Sequence, residues 1–145
     1  MPFILDIITP DRTVFTGHVL SVTLPTPSGE ITVLPHHISL VTVVEPGSLI
    51  ARDERGEHLF AVSRGTIEVD TSGIRVLVRS ADSGDDLVDE AAIEKAKKDA
   101  ETLMREKHTD AEAFAEATAV LDREIARLRS VRRRHSRAPS RRIEQ

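Results

Sequence analysis

The chain has 145 residues, a formal net charge of −4, 39% hydrophobic residues, no cysteine, no Trp or Tyr, and four Phe. That length holds one core with an appendage, and the missing thiols exclude both a disulfide framework and a thiolate metal site. Few rings are left for bases to stack on, no apolar run reaches the roughly 20 residues of a membrane helix, and no signal-peptide pattern opens the chain, so a cytoplasmic protein is expected.

The opening MPFILDIITP is apolar but broken by Asp6 and Pro10. His18, Leu20, Val22 and Leu24 then alternate with Val19, Ser21 and Thr23, which reads as one amphipathic strand of period two. Residues 29–42, GEITVLPHHISLVT, form an apolar run interrupted by Pro35 and two adjacent histidines. As metal ligands His36 and His37 are badly placed, because neighbours on a strand point to opposite faces, and no metal site is expected. The local alternative for His37 is a turn histidine. Asp53-Glu54-Arg55-Gly56 marks a hairpin between Leu49–Arg52 and His58–Ser63, and Ser72-Gly73 another between Thr66–Val69 and Ile74–Arg79. Turn signals roughly every 8–12 residues with no helical pattern between them imply a β-sandwich, or flattened barrel, of short antiparallel strands over residues 1–86. All seven glycines lie at or before Gly84 and six of the seven prolines at or before Pro46, so turn chemistry stops at that boundary.

Residues 87–134 read as two helices, making the whole chain α+β. Leu87 to Lys107 has no breaker and places Ile93, Ala96, Ala100 and Leu103 at three/four spacing. Asp85, Asp86, Asp89 and Glu90 suit its N-terminal dipole. Thr109 and Glu112 have capping-box spacing and open a second helix from about Asp110 to Arg134. Ala111, Phe114, Thr118, Leu121, Ile125 and Leu128 step 3-4-3-4-3 along it, the narrow seam of a coiled coil. So short a connection predicts an antiparallel helical hairpin, alanine-rich, with little buried area and able to open for a better partner. Residues 135–145 have no apolar period and are expected to form a disordered basic tail.

Charge is distributed unevenly: after residue 122 there are nine Arg against two Glu. Arg123, Arg127, Arg129, Arg132, Arg133 and Arg134 point to an anionic partner for that end. The acids of Glu124-Arg127 and Asp122-Arg129 are too few to neutralise them. No GxxxxGK[ST], GxSxG or HExxH motif occurs, so no catalytic residue and no enzyme activity are expected.

Gly29-Glu30-Ile31-Thr32-Val33-Leu34-Pro35-His36-His37, followed by Leu40-Val41-Thr42, Pro46-Gly47 and Ser63-Arg64-Gly65-Thr66-Ile67-Glu68-Val69, stands ahead of the alanine-rich hairpin. Over residues 3–134 this resembles the epsilon subunit of bacterial F-type ATP synthases. The resemblance implies a non-catalytic rotor, or central-stalk, component that binds the gamma subunit and the membrane c ring and helps couple proton flow to ATP synthesis. It implies a peripheral location on the cytoplasmic face of the bacterial cell membrane. It also implies that the hairpin acts as a brake on ATP hydrolysis when it extends to meet acidic residues of the catalytic beta and alpha subunits. Carried onto this sequence, the rotor contact loop comprises Gly29, Glu30, Ile31, Pro35, His36 and His37, with Glu30 as the polar contact to the c ring. The inhibitory contacts fall on Arg123, Arg127, Arg129, Arg132 and Arg133.

Three departures stand out. An ATP-binding motif of some members corresponds to Val88-Asp89-Glu90-Ala91-Ala92-Ile93, with Ala92 in place of an arginine. A methyl group cannot fork onto phosphate oxygens, which argues against ATP sensing although Asp89 remains, and no cofactor is expected. Thr32 and His36 occupy positions often held by glycine, and the tail after Arg134 is long. The alternative from another functional class is a nucleic-acid or anionic-lipid adaptor acting through residues 123–145.

Overall fold

A computed structural model describes residues 2–84 and 90–137, with side chains as far as 133. The strands are β1 (Phe3–Ile8), β2 (Thr13–Val19), β3 (Ser21–Thr26), β4 (Gly29–Val33), β5 (Leu40–Val44), β6 (Gly47–Asp53), β7 (Gly56–Val62), β8 (Gly65–Asp70), β9 (Gly73–Val78) and β10 (Ala81–Ser83). They are followed by α1 (Glu90–Glu106) and α2 (Ala111–Arg137).

Two aspartates close the hairpins that the turn residues predict. Asp53 Oδ1 accepts the backbone N–H groups of Arg55 and Gly56, and Asp70 Oδ1 those of Ser72 and Gly73. Each carboxylate satisfies the turn while a glycine at positive φ, Gly56 or Gly73, starts the returning strand. The strands form two five-stranded sheets, ordered β2-β1-β9-β8-β5 and β10-β7-β6-β3-β4. Pairing is antiparallel except between β1 and β9, which run parallel from Ile4 beside Gly73 to Ile8 beside Leu77. The sandwich of short, mainly antiparallel strands is as expected, and the one parallel pair joins strands distant in sequence, where no tight turn dictates direction.

Between the sheets lie Leu5, Ile7, Val22, Leu49, Phe60 and Ile67, among others, as one apolar core. At Gly65 a Cβ would stand 2.0 Å from the carbonyl oxygen of Leu77. Only glycine lets β8 enter beside β9 at that point.

The single strand expected over 18–24 is two. Val19 and Val22 are both buried while Leu20 is exposed, so the alternation changes phase at Leu20. There the chain leaves one sheet for the other, and the Leu20 N–H bonds the Arg52 carbonyl at 2.6 Å.

The helices also differ from their sequence reading. In α1 the covered or partly covered positions are Glu90, Ile93, Ala96, Lys97, Ala100, Glu101 and Met104, while Leu103 is exposed. Asp110, not Thr109, caps α2, its Oδ1 accepting the N–H groups of Glu112 and Ala113. The narrow seam does not describe α2. Phe114 and Ala111 are exposed, whereas Ala117, Glu124, Ala126, Leu128, Ser130 and Val131 are buried. Burial on more than one side follows from position, because α2 packs on α1 and also on β6 and β7. The helix continues to Arg137, so residues 135–137 belong to it and not to the tail. The expected start at Leu87, the capping residues Asp85, Asp86 and Asp89, and residues 138–145 lie outside the described residues.

Candidate functional site

The outer face of β6 and β7 is built to receive a helix. β6 is buried on both faces from Gly47 to Ala51: Leu49 and Ala51 enter the sandwich core, and alternation places Ser48 and Ile50 on the outer side. Ala61 of β7 joins Ile93, Ala126, Leu128 and Val131 in a second, smaller apolar cluster. Ser130, fully buried, shares a 2.8 Å hydrogen bond with Ser48.

Around this small centre, arginines of α2 tie the helix across the sheet from edge to edge. Arg123 forks onto Asp82 of β10 at 2.8 and 3.1 Å, which pushes its already high pKa further up. Arg127 bonds Glu124, a carboxylate only 5% exposed, at 3.2 Å, and stands 4.0 Å from Asp82. Its Nε is buried without a hydrogen-bond partner. Arg129 donates to the Pro46 carbonyl at 2.6 Å, and Arg132 reaches across to Glu90 and Glu94 of α1. Arg133 ends the series on Glu30, at the start of β4. From Arg123 to Arg133 the helix advances about 15 Å. The four strand spacings from β10 to β4 span about 19 Å. Thus α2 is a transverse strap over the whole sheet, and the hairpin lies folded against the sandwich.

The five arginines predicted as partner contacts are therefore all engaged within the chain. The expected Asp122–Arg129 pair does not form: Asp122 meets Arg64 at 3.4 Å, and Arg64 also holds Glu45 at 3.1 Å. Glu124–Arg127 does form. Of the acids that take up the charge of these arginines, Asp82 and Glu94 carry no local pattern that marks them in the sequence.

The predicted contact residues are split between the two ends of β4, Gly29 and Glu30 at the β3–β4 turn and Pro35, His36 and His37 at the β4–β5 turn, with about 13 Å of strand between them. Gly29 (φ 115°) returns the chain from β3 into β4, and Glu30 is exposed on one side but held by Arg133. Ile31 is half-buried against the core. The Leu34 carbonyl accepts the His37 N–H at 3.2 Å across Pro35 and His36, and His36 has φ 65°. Proline second and positive φ third are the requirements of a type II turn, which explains why glycine suits position 36. His36 adopts the glycine conformation at some strain. Thr32 needs no such allowance, since it lies in β4 with its hydroxyl 2.9 Å from that of Thr23. The histidines lie in a turn, not on a strand, and Nδ1 of His37 stands 2.7 Å from the Ile38 carbonyl oxygen. Beside this turn Ile38 (79% exposed), Val41 (73%) and Leu34 leave an apolar rim that continues along the edge strand β5. Asp89 lies outside the described residues, and Ala92 is an exposed residue of the first turn of α1.

Residues 2–84 match the family described as the beta-sandwich domain of the ATP synthase delta/epsilon chain. The chain is 38% identical over 130 residues to the ATP synthase epsilon chains of two strains of Dehalococcoides mccartyi, covering 90% of this chain and 92% of theirs. The chain belongs to the ATP synthase epsilon-chain family. Its fold is similar to that of a chain in the cryo-EM structure of the Euglena gracilis mitochondrial ATP synthase, OSCP/F1/c-ring, in rotational state 1 (TM-score 0.65, 23% identity, 88% of this chain and 78% of that one). A chain of the Tetrahymena thermophila mitochondrial ATP synthase central stalk and c ring aligns at TM-score 0.50 and 15% identity, over 81% and 97% of the two chains. An epsilon chain is a sandwich carrying two helices, and here the helices are strapped over the β10–β4 sheet. No described helix is long and apolar enough to cross a membrane.

Proposed function

We propose that this epsilon chain is a non-catalytic rotor subunit that docks on the gamma subunit and the c ring, with its helical hairpin as a releasable inhibitor of ATP hydrolysis. The observation that carries the reading is the pairing of α2: five arginines are held by acids and carbonyls of the same chain, while among the described residues Ile38 beside the β4–β5 turn and Val41 and Leu77 on the opposite sheet are exposed. A helix whose arginines are held in peripheral ion pairs around a small apolar centre is a stored cationic surface, which on opening becomes available to acidic segments of the catalytic alpha and beta subunits. The exposed Ile38, Val41 and Leu34 at the β4–β5 end, and the half-exposed Glu30 at the β3–β4 end, are surfaces that suit docking to the gamma subunit and the ring. In that assembly the chain sits peripherally on the cytoplasmic face of the bacterial membrane and helps couple proton flow to ATP synthesis.

Reconstitution with its own gamma, alpha, beta and c subunits tests this. Deleting residues from 109 onward should preserve binding to gamma and raise ATP hydrolysis. Unchanged hydrolysis removes the brake, and failure of the whole chain to bind gamma removes the rotor role. With Ala92 in place of a guanidinium, millimolar ATP should leave the melting temperature of the helices unmoved, and a clear rise would show that other residues hold the nucleotide. The adaptor reading is disfavoured because arginines 123–133 are already engaged within the chain, so they are not a free basic face for a polyanion.

A further inference from the structure

The two residues singled out for opposite ends of the assembly, Glu30 for the ring and Arg133 for the inhibitory helix, are partners in the folded chain. We propose that the Arg133–Glu30 pair is a latch that couples occupation of the β3–β4 turn to release of the hairpin. This rests on the reading of the turn as the element that docks on the ring.

Glu30 is half-exposed, with its carboxylate presented at the end of the sandwich, whereas the Arg133 side chain is only 19% exposed. A partner that offers hydrogen-bond donors or positive charge to Glu30 competes directly with Arg133. Once Glu30 is taken, a mostly covered guanidinium loses one of its interactions, the ion pair that ties it to the sheet edge, which disfavours the folded position of that end of α2. By linkage the relation is reciprocal: opening the hairpin frees Glu30 and strengthens docking by the same factor. Position on the strap decides what is released. Arg133 lies ten residues beyond Arg123, at the opposite edge of the sheet. Losing the latch therefore loosens the last turns of α2 first, while Asp82 still holds the near end. Docking at the turn would then present the arginine-rich end before the rest of the helix.

The test is amide hydrogen exchange on the full-length chain, following peptides from the last turns of α2 and from the sandwich. Glu30→Gln and Arg133→Gln should each speed exchange in α2 by roughly two- to five-fold, the range of a part-exposed ion pair. The double variant should exchange no faster than either single one, and sandwich peptides, unchanged, report that all variants fold. Effects that multiply in the double variant overturn the latch. Purified c ring in detergent is then added. Wild-type α2 should loosen on binding, Arg133→Gln should show no further change, and Arg133→Gln should bind the ring roughly two- to five-fold tighter. Binding of the wild type with no change in α2 overturns the latch alone. No binding of the wild type overturns the docking role of the turn, and the proposal with it.

Discussion

Leu128→Ala should detach the hairpin without unfolding the sandwich. Leu128 is 4% exposed in the cluster of Ala61, Ile93, Ala126 and Val131, the only apolar cluster among the described residues that joins the helices to the sheet. Ile93, Leu128 and Val131 are its only large members, and burying each contributes about 1.5–3 kcal/mol before ordering costs. Most of the surrounding ion pairs keep at least one half-exposed side chain and add roughly 0–1 kcal/mol apiece. Truncating Leu128 removes about 2–3 kcal/mol, the low end of the Leu→Ala range because two helices can settle into the space. At tenfold per 1.4 kcal/mol, amide exchange in α2 should accelerate about 30- to 150-fold. The main core between the sheets contains none of the helical residues, so peptides from β1, β8 and β9 should keep their protection. Exchange mass spectrometry on the intact chain reads both regions at once. If sandwich and helices lose protection in step, or α2 does not change, the separation of the two cores is wrong.

Gly65→Ala would press a methyl group to 2.0 Å from the Leu77 carbonyl and 2.8 Å from Val78 Cα, both backbone. A loss on the order of 4 kcal/mol should appear as a lower urea midpoint, and a loss below about 1 kcal/mol would mean that β9 gives way. His36→Gly relieves about 1–2 kcal/mol of left-handed strain and costs about 0.5–1 kcal/mol of chain entropy, so the midpoint should rise slightly; a fall would show that the imidazole contributes contacts of its own. The His58 hydrogen bond and then the Arg55 N–H hold the Asp53 carboxyl below its ordinary value, and the Ser72 hydroxyl and N–H do the same for Asp70. Because both folded values are depressed, their contribution is complete above the unfolded carboxylate pKa of about 4 and is lost as pH falls through the folded values. Asp53→Asn with Asp70→Asn should therefore flatten the acid limb of the stability curve, and an unchanged limb would assign it to other carboxylates.

Local signals and their reach explain what could be read without the structure. The hairpins at Gly56 and Gly73 are legible because an Asx turn needs only residues within three positions of one another. The two-layer class and the helical hairpin follow from the same kind of local evidence. The strand over 18–24 failed because a sheet-to-sheet crossing at Leu20 shifts the burial phase without a turn residue to mark it. The seam of α2 failed because a 3-4 pattern describes one packing face, and this helix has more than one. His36 is the intermediate case. The Pro-x turn is local, but only the φ of 65° gives the reason that glycine suits the position.

The arginines were the hardest residues to assign, for a physical reason. Composition shows donors but not acceptors, and here the acceptors lie 41, 83 and 103 residues away, at Asp82, Pro46 and Glu30. A cationic face awaiting a partner and one already satisfied therefore have the same sequence. The interface also shows how one helix can serve both states. Its centre is small, with Ala126, Leu128, Ser130 and Val131 on α2 against Ala61 and Ser48 on the sheet, so only a few apolar side chains are exposed to water on opening. The Ser48–Ser130 bond exchanges for bonds to water at a net cost of about 1 kcal/mol. The most exposed of the pairs, Arg132 with Glu90 and Glu94, exchange one solvated partner for another at little cost. Replacing that centre with large aliphatic side chains would hold the strap shut by several kcal/mol more. Two aliphatic side chains of α2, Leu128 and Val131, with alanine, serine and arginine around them, hold it in place and still leave it free to lift.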